Sequence, residues 1–139
     1  MIRIRSTRPL AILCVDDDPD IRTIAAMALR LDSAIAVRAV GSGAEALAML
    51  RAAADGWRPN VILLDVMMPE MDGPATLAAI RALDGYADVP IVFMTARARK
   101  PDLEGYAALG IDGVIVKPFD PLHLADDVRA LIEDRAAPI

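Results

Sequence analysis

The sequence predicts an α/β fold with a five-stranded parallel sheet, doubly wound so that helices cover both faces. Five short apolar runs recur along the chain, and a helix pattern follows each of them. Most runs do not alternate polar with apolar residues, which is typical of strands buried on both faces. Strict alternation of strand and helix requires right-handed crossovers, which place helices on both faces of a parallel sheet. The predicted strands are residues 10–15, 35–40, 61–64, 91–94 and 114–116.

The first two helices are predicted by apolar spacing and by a cap. Apolar residues at i, i+3, i+4 and i+7 spacing indicate an amphipathic first helix. They are Ile21, Ile24, Ala25, Ala28 and Leu31. Ser42 is the predicted N-cap of the second helix, and Glu45 follows it three residues later as in a capping box.

Prolines mark the starts of the last three helices, because proline is tolerated in the first helical turn. Pro74 predicts a third helix that runs to about Leu83. Pro101 predicts a fourth helix that stops at Gly110, a residue type favoured just after helix ends. Pro121 predicts the start of a fifth helix.

Length, charge and cysteine content exclude several classes of protein. With 139 residues and no linker or repeat, the chain is expected to be one domain (1–139), with its core at about 9–134 and no output domain. A net charge of −5 argues against direct nucleic-acid binding, which usually needs a basic face. No apolar run approaches the about 18 residues of a membrane span. The single cysteine, Cys14, is expected to be a buried hydrophobic residue and fits a reducing cytoplasm.

Chemically useful side chains follow four of the five predicted strands. They are Asp16 and Asp17 after the first strand, Asp65 after the third, Thr95 after the fourth and Lys117 after the fifth. Ligands of open α/β sheets bind outside the carboxyl ends of the strands, so we expect these groups to form one site. The second strand ends at Val40 and Gly41 and offers no such group, as expected for a strand at the edge of the sheet.

The clustered carboxylates predict a cation site. At about 5 Å and an effective dielectric of about 20, two unit charges repel by roughly 3 kcal/mol. Mg²⁺ relieves this repulsion, since it prefers oxygen ligands and needs only two or three carboxylates beside its waters. In this interpretation Asp65 is a nucleophile that attacks phosphorus and forms an acyl phosphate. The metal, Lys117 and the Thr95 hydroxyl then hold the phosphoryl oxygens.

Each of these residues also has an ordinary structural interpretation. The aspartates at 16–18 could cap the first helix, a role that suits Asp18 just before Pro19. Asp65 could be a turn residue, Thr95 another helix cap and Lys117 a solvated surface lysine. Together these interpretations require four independent coincidences at one edge of the sheet, so we favour the functional one.

The motifs resemble those of the receiver domain of bacterial two-component response regulators, over nearly the whole chain. The resemblance lies in four segments in the family's order: 12–20 (ILCVDDDPD), 63–73 (LLDVMMPEMDG), 94–96 (MTA) and 116–119 (VKPF). It implies a flavodoxin-like sheet with strand order 2-1-3-4-5. It also implies a Mg²⁺ ion with four protein ligands. These are Asp16, Asp17, Asp65 and the backbone carbonyl of Met67.

The resemblance further implies how such a protein acts. Asp65 would accept a phosphoryl group from a histidine kinase or phosphotransfer protein, and Thr95 and Lys117 would be the switch residues. The Lys117–Pro118 peptide bond would be cis. Phosphorylation would act through a separate downstream protein or through self-association, at a surface of helix four, strand five and helix five. Arg97, Arg99 and Lys100 belong to that surface, or are simply a solvated face.

One position departs from the family's pattern. Where the family usually carries Tyr or Phe, three residues before the lysine, this chain has Val114. We therefore expect activation to shift a loop and helix four, in place of an aromatic rotation on strand five. Tyr106 on helix four could substitute for the missing ring, or could be an ordinary packing residue.

Two rival functions remain. Asp16 and Asp18 read as the DxD nucleophile motif of a haloacid-dehalogenase-like phosphatase, although that interpretation leaves Asp65 unexplained. Alternatively, the receiver fold could serve as an interaction module without phosphorylation. Transfer of phosphate to Asp65, turnover of a phosphate monoester, or neither would distinguish the three.

Overall fold

A computed structural model describes residues 8–52 and 55–136 of the chain. Strands and helices alternate throughout. The strands are β1 (Leu10–Val15), β2 (Ile35–Val40), β3 (Val61–Asp65), β4 (Ile91–Thr95) and β5 (Gly113–Val116). The helices are α1 (Pro19–Arg30), α2 (Gly43–Ala52), α3 (Gly73–Arg81), α4 (Lys100–Ala107) and α5 (Leu124–Ala136). The two ends of the predicted domain, 1–7 and 137–139, lie outside the described residues.

All five strands are parallel and lie in the order β2-β1-β3-β4-β5, which confirms the predicted fold class and topology. The register brings Val15 of β1 beside Leu64 of β3, and Thr95 of β4 beside Val116 of β5. The carboxyl ends of the strands therefore meet along one edge. Strand order reverses between β1 and β3, the place where open α/β sheets bind ligands.

Each face of the sheet carries its own hydrophobic core. Ile12 and Cys14 of β1 point to the core that α1 and α5 cover, whereas Leu13 and Val15 point to the core beneath α2, α3 and α4. All four side chains are fully buried. Alternate residues of a strand point to opposite faces, so a strand buried on both faces must be apolar at every position. This is why the apolar runs in the sequence are continuous.

Side chains at their amino ends fix α1 and α2, as the sequence predicts. The Asp18 carboxylate accepts hydrogen bonds from the amides of Asp20 at 2.9 Å and Ile21 at 3.3 Å. The Ser42 hydroxyl accepts from the Glu45 amide at 3.1 Å. The Glu45 carboxylate reaches back to the amide of Gly41 at 2.6 Å, one residue before the expected partner in a capping box.

Two predicted helix bounds are wrong, and a third, predicted only approximately, differs by two residues. α5 begins at Leu124, not at Pro121, because the Asp120 carboxylate accepts from the Leu122 amide at 2.9 Å and forms a turn first. α4 ends at Ala107 and reaches Gly110 only through a tighter turn, in which the Gly110 amide donates to the Ala107 carbonyl. α3 ends at Arg81, two residues short of Leu83. In the described part of the chain, no helix combines the length and apolar character needed to cross a membrane.

Candidate functional site

The carboxyl edge of the sheet brings together the acidic residues that follow β1 and end β3. Asp16, Asp17 and Asp65 each offer a carboxylate oxygen, and these oxygens lie within 4.8 Å of one another. Asp16 is fully buried, Asp65 is 5% exposed and Asp17 is exposed. The predicted cluster therefore exists as one open-sided acidic pocket at the point where strand order reverses.

Lys117 provides a positive charge inside this cluster. Its ammonium donates to the Asp16 carboxylate at 2.8 Å and lies 3.2 Å from a carboxylate oxygen of Asp65. The lysine follows β5, two strands away from β3, so its long side chain crosses the edge to reach both acids. Asp16 and Asp65 thus share one ammonium, and with Asp17 nearby the cluster keeps an excess of negative charge. The Lys117–Pro118 peptide bond is cis.

The electrostatics follow from this shared burial. The pKa of Asp65 is raised to about 6, mainly by burial and secondly by the charge of Asp16, whereas the charge of Lys117 lowers it. Burial alone would lower the pKa of Lys117, but its hydrogen bond to Asp16 and the charges of both acids raise it overall. At neutral pH the site therefore holds an ionised Asp65 beside a protonated Lys117.

The backbone around the acids is held by contacts that sequence patterns did not reveal. The Asp18 amide donates to the Asp16 carboxylate at 2.9 Å, and the Arg22 guanidinium donates to the Asp16 carbonyl at 2.8 Å. Arg22 lies one turn inside α1, where no spacing rule singles out an arginine. These two contacts fix the loop that carries Asp16 and Asp17.

The loop after β3 is closed by a glycine. The amide of Gly73 donates to the Val66 carbonyl at 2.8 Å. A Cβ at Gly73 would lie 2.7 Å from the Val66 Cα and 2.9 Å from the Asp65 carbonyl oxygen, so no larger residue fits without moving backbone. Within this loop the Met67 amide donates to the Asp65 carboxylate at 3.4 Å, and the Met67 side chain is exposed.

Thr95 lies at the same edge with its hydroxyl already engaged. It is the last residue of β4, and its Oγ1 accepts from the Arg97 amide at 2.9 Å. The Lys117 amide donates to the Thr95 carbonyl at 2.9 Å, which ties the ends of β4 and β5 together. Val114, at the position of the expected aromatic residue, is half-buried beside the core that contains Tyr106.

The donor set fits a hard divalent cation. Three carboxylates within 4.8 Å, on a pocket open to solvent, match the few protein oxygens that Mg²⁺ takes while it keeps its waters. The excess negative charge left after pairing with Lys117 favours the same kind of ion. Cys14 offers no soft ligand, because burial raises the pKa of its thiol to about 12 and keeps it protonated. It is a buried core residue, as predicted.

The geometry argues against the phosphatase alternative. The DxD interpretation needs the Asp18 carboxylate in the pocket, whereas that carboxylate caps α1 and is exposed. The carboxylate that joins Asp16 and Asp17 instead is Asp65, from a different strand.

Comparison with known proteins identifies the family. Residues 12–129 match the model of the response regulator receiver domain. The transcriptional regulatory protein PrrA of Mycobacterium tuberculosis is 38% identical over 126 residues, which cover 91% of this chain and 51% of that protein. The DNA-binding response regulator MtrA of Mycolicibacterium smegmatis is 37% identical, over 86% of this chain and 49% of its own length. The chain thus spans about half the length of these relatives.

The solved structures give the same result. The chemotaxis response regulator CheY4 of Vibrio cholerae superposes with a TM-score of 0.76 at 32% identity, covering 88% of this chain and 98% of its own. Receiver domains are signalling modules that work with histidine kinases or phosphotransfer proteins, and they are not enzymes in the ordinary sense. From its sheet topology, its acidic edge and these matches, the chain belongs to the receiver domain family of two-component response regulators.

Proposed function

We propose that Asp65 is a phosphoacceptor, which receives a phosphoryl group from a phosphohistidine of a histidine kinase or phosphotransfer protein. The observation that carries the proposal is the shared pocket of Asp16, Asp17 and Asp65, with Lys117 3.2 Å from the Asp65 carboxylate. One buried carboxylate paired with an ammonium suits nucleophilic attack, and two further carboxylates suit a metal.

The transfer balances as a displacement at phosphorus. A carboxylate oxygen of Asp65 forms the new O–P bond while the donor's N–P bond breaks. The electron pair of that bond returns to the imidazole nitrogen, which takes up a proton from solvent. A pKa of about 6 leaves Asp65 ionised at neutral pH, so the nucleophile needs no separate base.

Roles follow for the other residues of the site. Lys117 neutralises the charge of the transferred group, and the Thr95 hydroxyl turns from the Arg97 amide to donate to a phosphoryl oxygen. Asp16, Asp17, Asp65 and the backbone carbonyl of Met67 would hold Mg²⁺. When bound, that ion supplies positive charge to the phosphoryl oxygens.

We also propose how the signal leaves the domain. The acyl phosphate would change the surface of α4, β5 and α5, where Arg97, Arg99 and Lys100 are exposed. That surface would bind a downstream protein or a second copy of the chain, in the cytoplasm and without direct contact to nucleic acid. DNA binding is named for MtrA, whose length the chain only half covers. We propose that residues 1–139 form a receiver domain without an output domain among them.

A second candidate is a receiver fold used only for binding, without phosphorylation. The observation that favours it is Val114, because the aromatic residue usual at that position is absent. This candidate leaves the acidic pocket and its lysine without a role, so we place it second.

Acetyl phosphate provides the deciding experiment. The protein is incubated with acetyl phosphate, with and without Mg²⁺, and its intact mass is measured. Asp65→Asn is treated in the same way, and Asp84→Asn, at an exposed aspartate outside the acidic pocket, is the control. We expect a Mg²⁺-dependent gain of one phosphoryl group in the wild type and in the control, and none in Asp65→Asn. Absence of any gain in the wild type would favour the binding-only module.

A further inference from the structure

Helix α4 depends on one side chain for its attachment to the sheet. Tyr106 is the only buried residue of α4, and it is 9% exposed. By contrast, α1, α2 and α3 each bury four residues. The position of α4 is therefore set by whatever Tyr106 contacts.

Two contacts of Tyr106, one between aromatic rings and one hydrogen bond, lead to Thr95. Its ring packs edge-on against Phe93, with centroids 5.5 Å apart and planes at 81°. Phe93 precedes Thr95 by two residues on β4, so the two side chains leave the same face of the sheet. The Tyr106 hydroxyl donates to the Arg97 carbonyl at 3.2 Å, on the loop that follows Thr95.

Arg97 joins the threonine to the tyrosine through its own backbone. Its amide donates to the Thr95 hydroxyl at 2.9 Å, and its carbonyl accepts from the Tyr106 hydroxyl. The Arg97 side chain is exposed and is not needed for either contact. A rotation of the threonine that frees the amide would allow Arg97 to shift, and a shift of Arg97 would carry with it the carbonyl that holds the helix.

We propose that Tyr106 is the positioning residue through which the state of the Thr95 hydroxyl reaches α4. The inference rests on the proposed function, since it begins when the threonine hydroxyl turns toward a phosphoryl group on Asp65. The Arg97 amide then loses its acceptor, the loop shifts, and the Tyr106 hydroxyl moves with the carbonyl or releases it. Either change moves α4 through its single buried anchor. Val114, half-buried in the neighbouring strand, has neither the ring nor the hydroxyl that this step uses.

The chain supplies a matched control for this test. Tyr106→Phe keeps the ring against Phe93 and removes only the hydroxyl. Tyr86→Phe removes the hydroxyl of the other tyrosine, which is 3% exposed and whose oxygen has no hydrogen-bond partner in the described structure. A purely structural effect of losing a buried phenol oxygen would appear in both variants.

The first measurement uses the unphosphorylated proteins. Amide hydrogen exchange is followed by NMR at Arg97, whose amide bonds Thr95. Losing one net hydrogen bond should speed that exchange about two- to tenfold in Tyr106→Phe, with no change in Tyr86→Phe. Wild-type exchange at Arg97 in Tyr106→Phe would show that the two contacts are independent and would overturn the inference.

The second measurement follows phosphorylation by acetyl phosphate and Mg²⁺, with intact mass recorded for each sample. We expect both variants to gain the phosphoryl group. In the wild type and Tyr86→Phe, amide shifts should extend through α4, whereas in Tyr106→Phe they should fall to less than half and stop near Arg97. If phosphorylated Tyr106→Phe shows amide shifts through α4 as large as those of the wild type, the role of Tyr106 is overturned and the proposed function is not affected. A wild type that gains no phosphoryl group would instead overturn the proposed function, and with it the transmission step.

Discussion

Helices α1 and α4 both follow the acidic edge of the sheet, yet they are attached in opposite ways. α1 buries four residues and begins at a cap in which Asp18 accepts two amides. α4 buries one residue, and the Arg99 side chain forms no cap hydrogen bond, so among the described residues its amino end is held only by the Asp102 carboxylate, which accepts from the Arg99 amide at 3.2 Å. The helix that follows the acidic loop is therefore held by more contacts than the helix that follows the threonine. Such a division would suit the proposed function, in which the pocket keeps its geometry while the surface of α4, β5 and α5 changes.

An ion pair with a buried arginine also fixes the position of α1. Arg129 of α5 is 3% exposed, and its guanidinium donates to the Asp32 carboxylate at 2.8 Å and to the Arg8 carbonyl at 2.8 Å. The hydrogen bond from Arg129 holds the pKa of Asp32 below its ordinary value. Since Asp32 directly follows α1, this contact fastens the end of that helix to α5. No pattern in the sequence predicts that Arg129 is buried in this core.

The largest test truncates one buried side chain in each helix. Leu29→Ala should lower the free energy of unfolding by about 2–5 kcal/mol, because α1 is part of the cooperative core. Tyr106→Ala should instead speed amide exchange throughout α4 by about tenfold or more, while the rest of the sheet stays protected. Urea unfolding and residue-resolved hydrogen exchange measure the two effects.

The opposite result has a clear meaning. If α4 amides in Tyr106→Ala exchange only through global unfolding, α4 belongs to the same cooperative unit as α1. The two helices would then differ in the number of residues they bury but not in mobility.

A second test removes the ion pair at the end of α1. Arg129→Ala should cost about 2–3 kcal/mol of unfolding free energy, because it leaves Asp32 without its partner in a half-buried position. Arg38→Ala breaks the exposed pair of Arg38 with Asp55 and its contact with the Trp57 ring, and should cost clearly less, because solvent screens the pair. Equal losses in urea unfolding would contradict the idea that burial of Arg129 fixes this helix.

A third test uses the charge of the acidic edge that lies between the two helices. The folded-state pKa of Asp65, about 6, exceeds its ordinary value of 3.8, so the folded state binds this proton more tightly than the unfolded state. The resulting stability is complete below the unfolded pKa and is lost as the pH rises through about 6. Asp65→Asn cannot ionise, and its advantage over the wild type should grow by about 1–2 kcal/mol between about pH 4 and about pH 7, allowing for solvent at the open pocket.

The measurement is urea unfolding of metal-free protein at the two pH values, with Asp84→Asn as the control at an exposed site. A constant difference between wild type and Asp65→Asn would mean that the carboxylates are better compensated than the geometry indicates. Added Mg²⁺ should reduce the difference in unfolding free energy between Asp65→Asn and the wild type. A cation that binds only the folded protein stabilises it, and of these two only the wild type keeps the Asp65 carboxylate that would bind the ion.

The strands and the pocket were predictable because both depend on residue type at fixed positions. Parallel strands buried on both faces must be apolar throughout, so the predicted runs fall within one residue of the observed strands. Residues that end such strands must meet at one edge, so the sequence predicts that Asp16, Asp65 and Lys117 lie together, as they do. Asp18 was predicted as a cap because aspartate is favoured at N-caps, where its charge complements the helix dipole, and because it stands just before Pro19.

The contacts that escaped prediction depend on distant backbone. Arg22 donates to a carbonyl, and Gly73 is required by the close approach of Val66, so neither has a side-chain partner that a pattern could suggest. The start of α5 was misplaced because proline suits both a first helical turn and the turn that Asp120 stabilises. Tyr106 gained its importance only when the structure showed that α4 buries nothing else.

The smallest test compares the two caps. Asp18→Ala removes an acceptor for two amides at the start of α1 and should cost about 1 kcal/mol of unfolding free energy. Arg99→Ala, at the equivalent position of α4, should change it by less than about 0.5 kcal/mol, because its side chain caps nothing. Equal costs in urea unfolding would show that the Arg99 side chain stabilises the start of α4 as much as the Asp18 cap stabilises the start of α1. A loss confined to Asp18→Ala would locate the rigid side of the domain at the helix that supports the acidic pocket.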